Sequence, residues 1–177
     1  MIEEIINKTI EILKSSVFLD DVREWHCING LVPSKYRTIS IGCEDMKFTD
    51  YTQDQDECNA VLKIYASLDN RELSSNGRKK EEDRLEYGER AIQGLAENIR
   101  LVLVENYTLD GIVDVSNVEG IEFTTSDDCV DLHIAIISLG VKFYAERSRT
   151  IKKPLTVKEI YMQMNDEEMH FGEKGED

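Results

Sequence analysis

Gly88-Glu89-Arg90-Ala91-Ile92-Gln93-Gly94-Leu95-Ala96-Glu97-Asn98-Ile99-Arg100-Leu101-Val102-Leu103 and, further on, Cys129-Val130-Asp131-Leu132-His133-Ile134-Ala135-Ile136-Ile137-Ser138-Leu139-Gly140-Val141-Lys142-Phe143 together decide the fold class. In the first run Ile92, Leu95, Ala96, Ile99, Val102 and Leu103 fall on one side, with Glu89, Gln93, Glu97 and Arg100 toward the other. That spacing predicts an amphipathic helix of about sixteen residues, roughly 24 Å long by its rise per residue. Gly94 costs about 1 kcal/mol of helix propensity, so close packing against a sheet is the expected reason for it. Asn106, or Gly111 after a short turn, ends the helix. Two strands follow, Ile112 to Thr125 and Cys129 to Arg147, joined at Ser126-Asp127-Asp128 as one long hairpin. Gly120 marks a bulge or bend in the first strand.

The second strand changes phase. Its apolar residues hold even positions at Val130, Leu132, Ile134 and Ile136, then odd positions at Ile137, Leu139, Val141 and Phe143. Side chains alternate strictly along a strand, so one flat strand cannot keep both sets on one face. Either a bulge sits near Ile136, or the strand leaves its own core and buries its second half elsewhere. At about 3.3 Å per residue the run would exceed ordinary strand lengths several-fold. A bend is expected, with Ile137, Leu139, Val141 and Phe143 packing on a neighbouring subunit.

Working outward, Ile2, Ile6, Ile10, Leu13 and Val17 recur at helical steps and predict an N-terminal amphipathic helix. Phe18 to Ser34 is rich in turn residues and reads as irregular. Thr38 to Cys43 alternates as a strand with Ile39, Ile41 and Cys43 on one face. Glu44 to Glu57 is acidic and polar, either a long loop or an extended hairpin arm. Asn59 to Leu68 is again a strand, with Leu62, Ile64 and Ala66 facing one way. Asp69 to Asp83 cannot bury a core and is expected to be a mobile loop. After Thr150, Pro154 breaks any strand, and Thr156 caps a short helix bearing Val157, Ile160, Tyr161 and Met164. Asn165 to Asp177 is acidic, either a frayed terminus or part of an arm that docks on a partner. The sum is an α+β domain over residues 1–150, a mostly antiparallel sheet with a long C-terminal hairpin and helices packed on it. Residues 151–177 form an extension.

Composition sets limits on chemistry. With 177 residues, 41% hydrophobic and 32% charged, the chain suits one globular domain with a real core. No run approaches the length of a membrane span, and the N-terminus lacks the features of a signal peptide. Folding in a reducing cytoplasm is expected, with Cys27, Cys43, Cys58 and Cys129 as reduced, mostly buried thiols. A zinc site from His26, Cys27, Cys43 and Cys58 would need distant loops to converge. The 36 acidic residues against 21 basic ones leave a net charge of −15. Such a surface repels phosphate backbones and argues against groove-reading of nucleic acid. It serves solubility, or a surface past which DNA must slide without sticking.

Candidates for catalysis are few. His133 shares a strand face with Asp131, yet Cys129 and Ser138 lack any nucleophile context. A surface or interface hydrogen bond is the expected role of His133. Asp54-Gln55-Asp56-Glu57 lacks the glycine and terminal glutamate of a calcium loop. There is no phosphate-binding glycine loop and no dinucleotide fingerprint. The expectation is therefore a non-enzyme with no catalytic, cofactor or metal residues.

The order of elements, the run Tyr87-Gly88-Glu89-Arg90-Ala91-Ile92-Gln93-Gly94-Leu95-Ala96-Glu97-Asn98-Ile99, and the hairpin ending Val141-Lys142-Phe143-Tyr144-Ala145 carry a resemblance. Over residues 1–150 the chain resembles the tail-terminator (tail-completion) proteins of long-tailed phages and phage-tail-like particles. The resemblance implies a homohexameric ring that caps the tail tube, ends tube polymerisation and joins the tail to the neck. In contractile tails such a ring also contacts the sheath. It further implies that Ile137, Leu139, Val141 and Phe143 pack across subunits and that acidic loops line the channel. Val157, Ile160, Tyr161 and Met164 would then grip sheath or neck/collar proteins. The implied location is the virion tail or tail-like particle, assembled in the host cytoplasm. The acidic stretch Asp45 to Glu57 and the C-terminal extension depart from the family pattern and leave the tail type open. A head-proximal neck or adaptor protein is the nearest alternative. A host soluble binding module or small enzyme, with His133 as the residue to mutate, is the alternative of another class.

Overall fold

Helix α1 (Ile2–Lys14), a 3-10 turn (Val17–Leu19), strands β1 (Glu24–His26), β2 (Thr38–Asp50) and β3 (Gln55–Asp69), helix α2 (Glu81–Glu105) and strands β4 (Val115–Ser126) and β5 (Cys129–Glu146) follow one another along the chain. The structure is a computed structural model that describes residues 1–32, 34–69, 81–126 and 129–146. Most of the expected loop from Asp69 to Asp83, the turn at Asp127-Asp128 and the expected helix with Val157, Ile160, Tyr161 and Met164 lie outside the described residues. Met1–Glu146 make up one compact unit.

The fold is α+β. Five strands form one sheet in the order β1-β2-β3-β5-β4. β1 runs parallel to β2, and every other neighbouring pair is antiparallel. α1 packs on β2, and α2 packs on β3, β5 and β4. Between helices and sheet lies one core. It combines Ile39 and Ile41 with Leu62, Ile64 and Ala66, with Ile137, Leu139 and Val141, and with Ile92, Leu95, Ile99 and Leu103 from α2. The alternation expected for β3 is the one observed, because its even positions face this core.

β5 corrects the sequence-based expectation. Its register with β3 runs without a shift from Leu132 opposite Asp69 to Glu146 opposite Gln55. No bulge or bend interrupts it near Ile136. The odd positions His133, Ala135, Ile137, Leu139, Val141 and Phe143 are all buried. The even positions Leu132, Ile134 and Ile136 belong to the opposite face, which is also partly covered. There Asn29 Nδ2 donates to the Cys43 carbonyl (3.2 Å), Tyr65 Oη donates to Asn29 Oδ1 (3.3 Å), and Ser40 Oγ donates to the Gly30 carbonyl. Thr38, Ser40, Ser67 and Ile134 are buried on that side. A strand covered on both faces carries apolar residues in both phases, so the phase switch records two faces. Register shifts occur instead at Cys43/Asp45 in β2 and at Val118/Gly120 in β4, the latter at the expected glycine.

The other differences are local. α1 ends at Lys14, and its buried set is Ile5, Thr9, Ile10, Ile12 and Leu13. Val17 falls in the 3-10 turn and is 74% exposed, so the expected stripe is rotated. α2 has 25 residues and begins at Glu81, well before Gly88. The segment expected to be irregular contributes β1, whose three residues pair with Thr38, Ile39 and Ser40. The acidic stretch is an arm: β2 continues to Asp50, β3 begins at Gln55, and Thr52 Oγ1 accepts from the Asp54 and Gln55 amides in the turn.

Gly94 is not a packing glycine, since beyond its chain neighbours and the nearby helix backbone no atom lies within 4 Å of where its Cβ would stand. Its helix-propensity cost is therefore uncompensated. Gly94→Ala should stabilise the chain by about 1 kcal/mol, read as a higher urea midpoint with an unchanged slope.

Candidate interaction surfaces

The arm formed by β2 and β3 is the most prominent exposed feature. From Glu44 to Asp50 every residue of β2 is exposed. Met46 lies opposite Ala60 and Phe48 opposite Cys58, so both continue the face that carries the core. Ala60 and Cys58 on β3 and Phe143 on β5 remain buried there, whereas Phe48 is 57% exposed and Met46 is exposed with it. Apolar side chains on the continuation of a core face, uncovered within the chain, mark a surface that benefits from a partner.

The arm is braced from its other face. Lys142 Nζ pairs with Glu57 Oε2 at 2.8 Å and lies 5.7 Å from the Tyr144 ring centre. Tyr51 and Tyr144 have ring centres 4.7 Å apart. The hydrogen bond from Lys142 holds the Glu57 carboxyl below its usual range, and the same contact raises the Lys142 ammonium. Lys63 Nζ bridges Glu44 (3.3 Å) and Ser138 Oγ (2.8 Å). Beyond Ser40 the outer edge of β2 has no strand beside it among the described residues. Glu44, Asp45, Lys47 and Asp50, with the bulge at Cys43/Asp45, protect that edge from indiscriminate pairing.

The residues assigned to an interface from sequence stand elsewhere. Ile137, Leu139, Val141 and Phe143 belong to the chain's own core, where Leu139 is 0% exposed and faces Leu62 across β3. A second subunit finds no free surface on them. Val157, Ile160, Tyr161 and Met164 lie outside the described residues. The residues that sequence reasoning missed are Met46 and Phe48. Met46-Lys47-Phe48-Thr49 does alternate, but the acidic residues on either side hide the short period.

Thiols are more open than expected: Cys58 is buried, Cys43 is half-buried and Cys27 is exposed, and all three are free. Burial pushes the Cys58 and Cys43 thiols up, away from reactivity. Among the described residues no group of three or more His, Cys, Asp or Glu side chains is arranged to hold a metal ion. No helix among them is long and apolar enough to cross a membrane.

His133 is not a surface residue. It is 1% exposed, on the core face of β5 opposite Leu68, and its Nε2 has no hydrogen-bond partner among the described residues. Loss of solvation lowers its pKa from 6.5, while the nearby Glu89 and Asp131 carboxylates act the other way. The folded chain therefore binds this proton less tightly than the unfolded chain. Full stability is present above about pH 6.5, the ordinary imidazole range, and is lost as pH falls through the depressed folded value. Between pH 7.5 and pH 5, about a three-hundredfold change in proton activity, the urea midpoint should fall further for the native chain than for His133→Leu.

The sequence matches no model of a known protein family, and no curated protein matches it.

Proposed function

We propose that the chain is a structural protein of a phage tail or tail-like particle. Copies of it close into a ring that caps the tail tube and ends its growth. The ring, a homohexamer by the resemblance, also joins the tail to the neck/collar and touches the sheath where one exists. It performs no catalysis. The observation that carries this reading is the braced arm with Met46 and Phe48 exposed on an otherwise closed core face. A rigid apolar protrusion at one end of a chain supports head-to-tail contacts, which build rings when the rotation closes. The net charge of −15 supports a channel that does not retain DNA.

Light scattering on the full chain, alone and with tail-tube protein, tests the proposal. A ring gives a mass near a whole multiple of 20.4 kDa. Phe48→Asp should abolish that association while leaving monomer stability within about 0.5 kcal/mol, as befits an exposed site. A strict monomer that ignores the tube would overturn the proposal, as would a ring indifferent to Phe48→Asp and Met46→Asp together.

A further inference from the structure

At the end of the core away from the arm, α2, β4 and β5 enclose a cleft of about 480 Å³ lined by Glu89, Ile92, Gln93, Phe123, Thr124 and His133. We propose that this cleft is a binding site for a guanidinium or primary ammonium group. The inference is independent of the ring and goes beyond it.

Four observations carry it. His133 is more than nine-tenths buried, and its Nε2 has no hydrogen-bond partner among the described residues. A buried polar atom of this kind is costly to leave unsatisfied, so a ligand that satisfies it gains affinity. In the tautomer with its proton on Nδ1, neutral imidazole presents the Nε2 lone pair to a donor, and the carboxylates around it favour a donor that carries positive charge. The field at this imidazole comes from the Glu89 and Asp131 carboxylates, both of which favour positive charge there. Among the described residues no lysine or arginine lines the cleft. Phe123, half exposed, supplies an aromatic wall of the kind that attracts cations. A metal ion does not fit, because the described residues hold no set of three ligating side chains. A planar or tetrahedral N–H cation does: one N–H to His133 Nε2, another to the Glu89 carboxylate, and the charge against the ring.

The test uses the full chain and follows the imidazole signals of its three histidines by NMR during titration with butylguanidinium. Saturable shifts at His133 alone are expected, with a Kd of about 1 mM for so small a ligand. Neutral butylurea should bind about tenfold more weakly, and Glu89→Gln, a change at an exposed side chain, should cost about tenfold. Lowering the pH until His133 is protonated should expel the ligand. A short peptide amide with one arginine that binds about tenfold tighter than butylguanidinium identifies a protein side chain as the source, and equal affinity identifies a free small cation. Absence of saturation at His133, equal binding of butylurea, or unchanged affinity in Glu89→Gln would each overturn the proposal.

Discussion

Leu139→Asp is expected to abolish the folded state. Leu139 is 0% exposed and sits between Leu62 on β3 and Val118 on β4 in the middle of the core face. A carboxylate there has no cation among its core neighbours, and burying it unpaired, or protonating it to avoid that, costs several kcal/mol. The whole stability of a domain is about 5–15 kcal/mol, and the lost leucine packing alone accounts for about 2–5 kcal/mol of it. Circular dichroism during a urea titration should show a cooperative transition for the native chain and none for Leu139→Asp. Leu139→Ala should fold with a reduced midpoint. A Leu139→Asp chain that folds with nearly native stability, yet fails to associate, would restore Leu139 to an intersubunit surface. The contrast with Phe48→Asp is the informative one, since both place a charge on the same face and differ only in what already covers it.

Gly42→Ala should produce the second large effect. A Cβ at Gly42 would stand well inside contact distance of the Asn29 backbone and 2.5 Å from the Asn29 Cβ. Backbone cannot swing aside as a side-chain tip can, so the segment around Asn29 must lift off the sheet. Overpacking of this kind costs about 1–3 kcal/mol. Lifting the loop also sacrifices the hydrogen bonds from Asn29 to Cys43, from Tyr65 to Asn29 and from Ser40 to Gly30, each worth about 1 kcal/mol net. For a chain of this size the melting temperature should fall by about 5–15 °C. Gly140→Ala is the matched control. The nearest atoms to its Cβ belong to the flexible Glu119 side chain, which can rotate away, so little change is expected. Equal and small losses in both variants would mean that the loop does not rest on Gly42.

Much of this architecture was legible in the residues. The buried face of α2, from Ile92 to Leu103, is the one its spacing predicts. So are the core positions Leu62, Ile64 and Ala66 of β3 and the irregularity at Gly120. Each follows from a period contained within one element. The misplaced features all depend on a second element. Ile137, Leu139, Val141 and Phe143 are correctly grouped on one face, but what they face is α2 and not another chain. His133 looks polar and strand-exposed, and becomes a buried base only because α2 lies over that end of β5.

Sequence alone thus determined the class, the helix face and the strand phases, because hydrophobic periodicity is a local property that survives without knowledge of neighbours. Tertiary structure alone decided that both faces of β5 are covered, that three residues from Glu24 to His26 complete the sheet, and that Met46 and Phe48 remain outside it. Burial is a relation between elements distant in the chain. A pattern of apolar residues states that a face seeks cover, and only the packed chain determines which faces already have it.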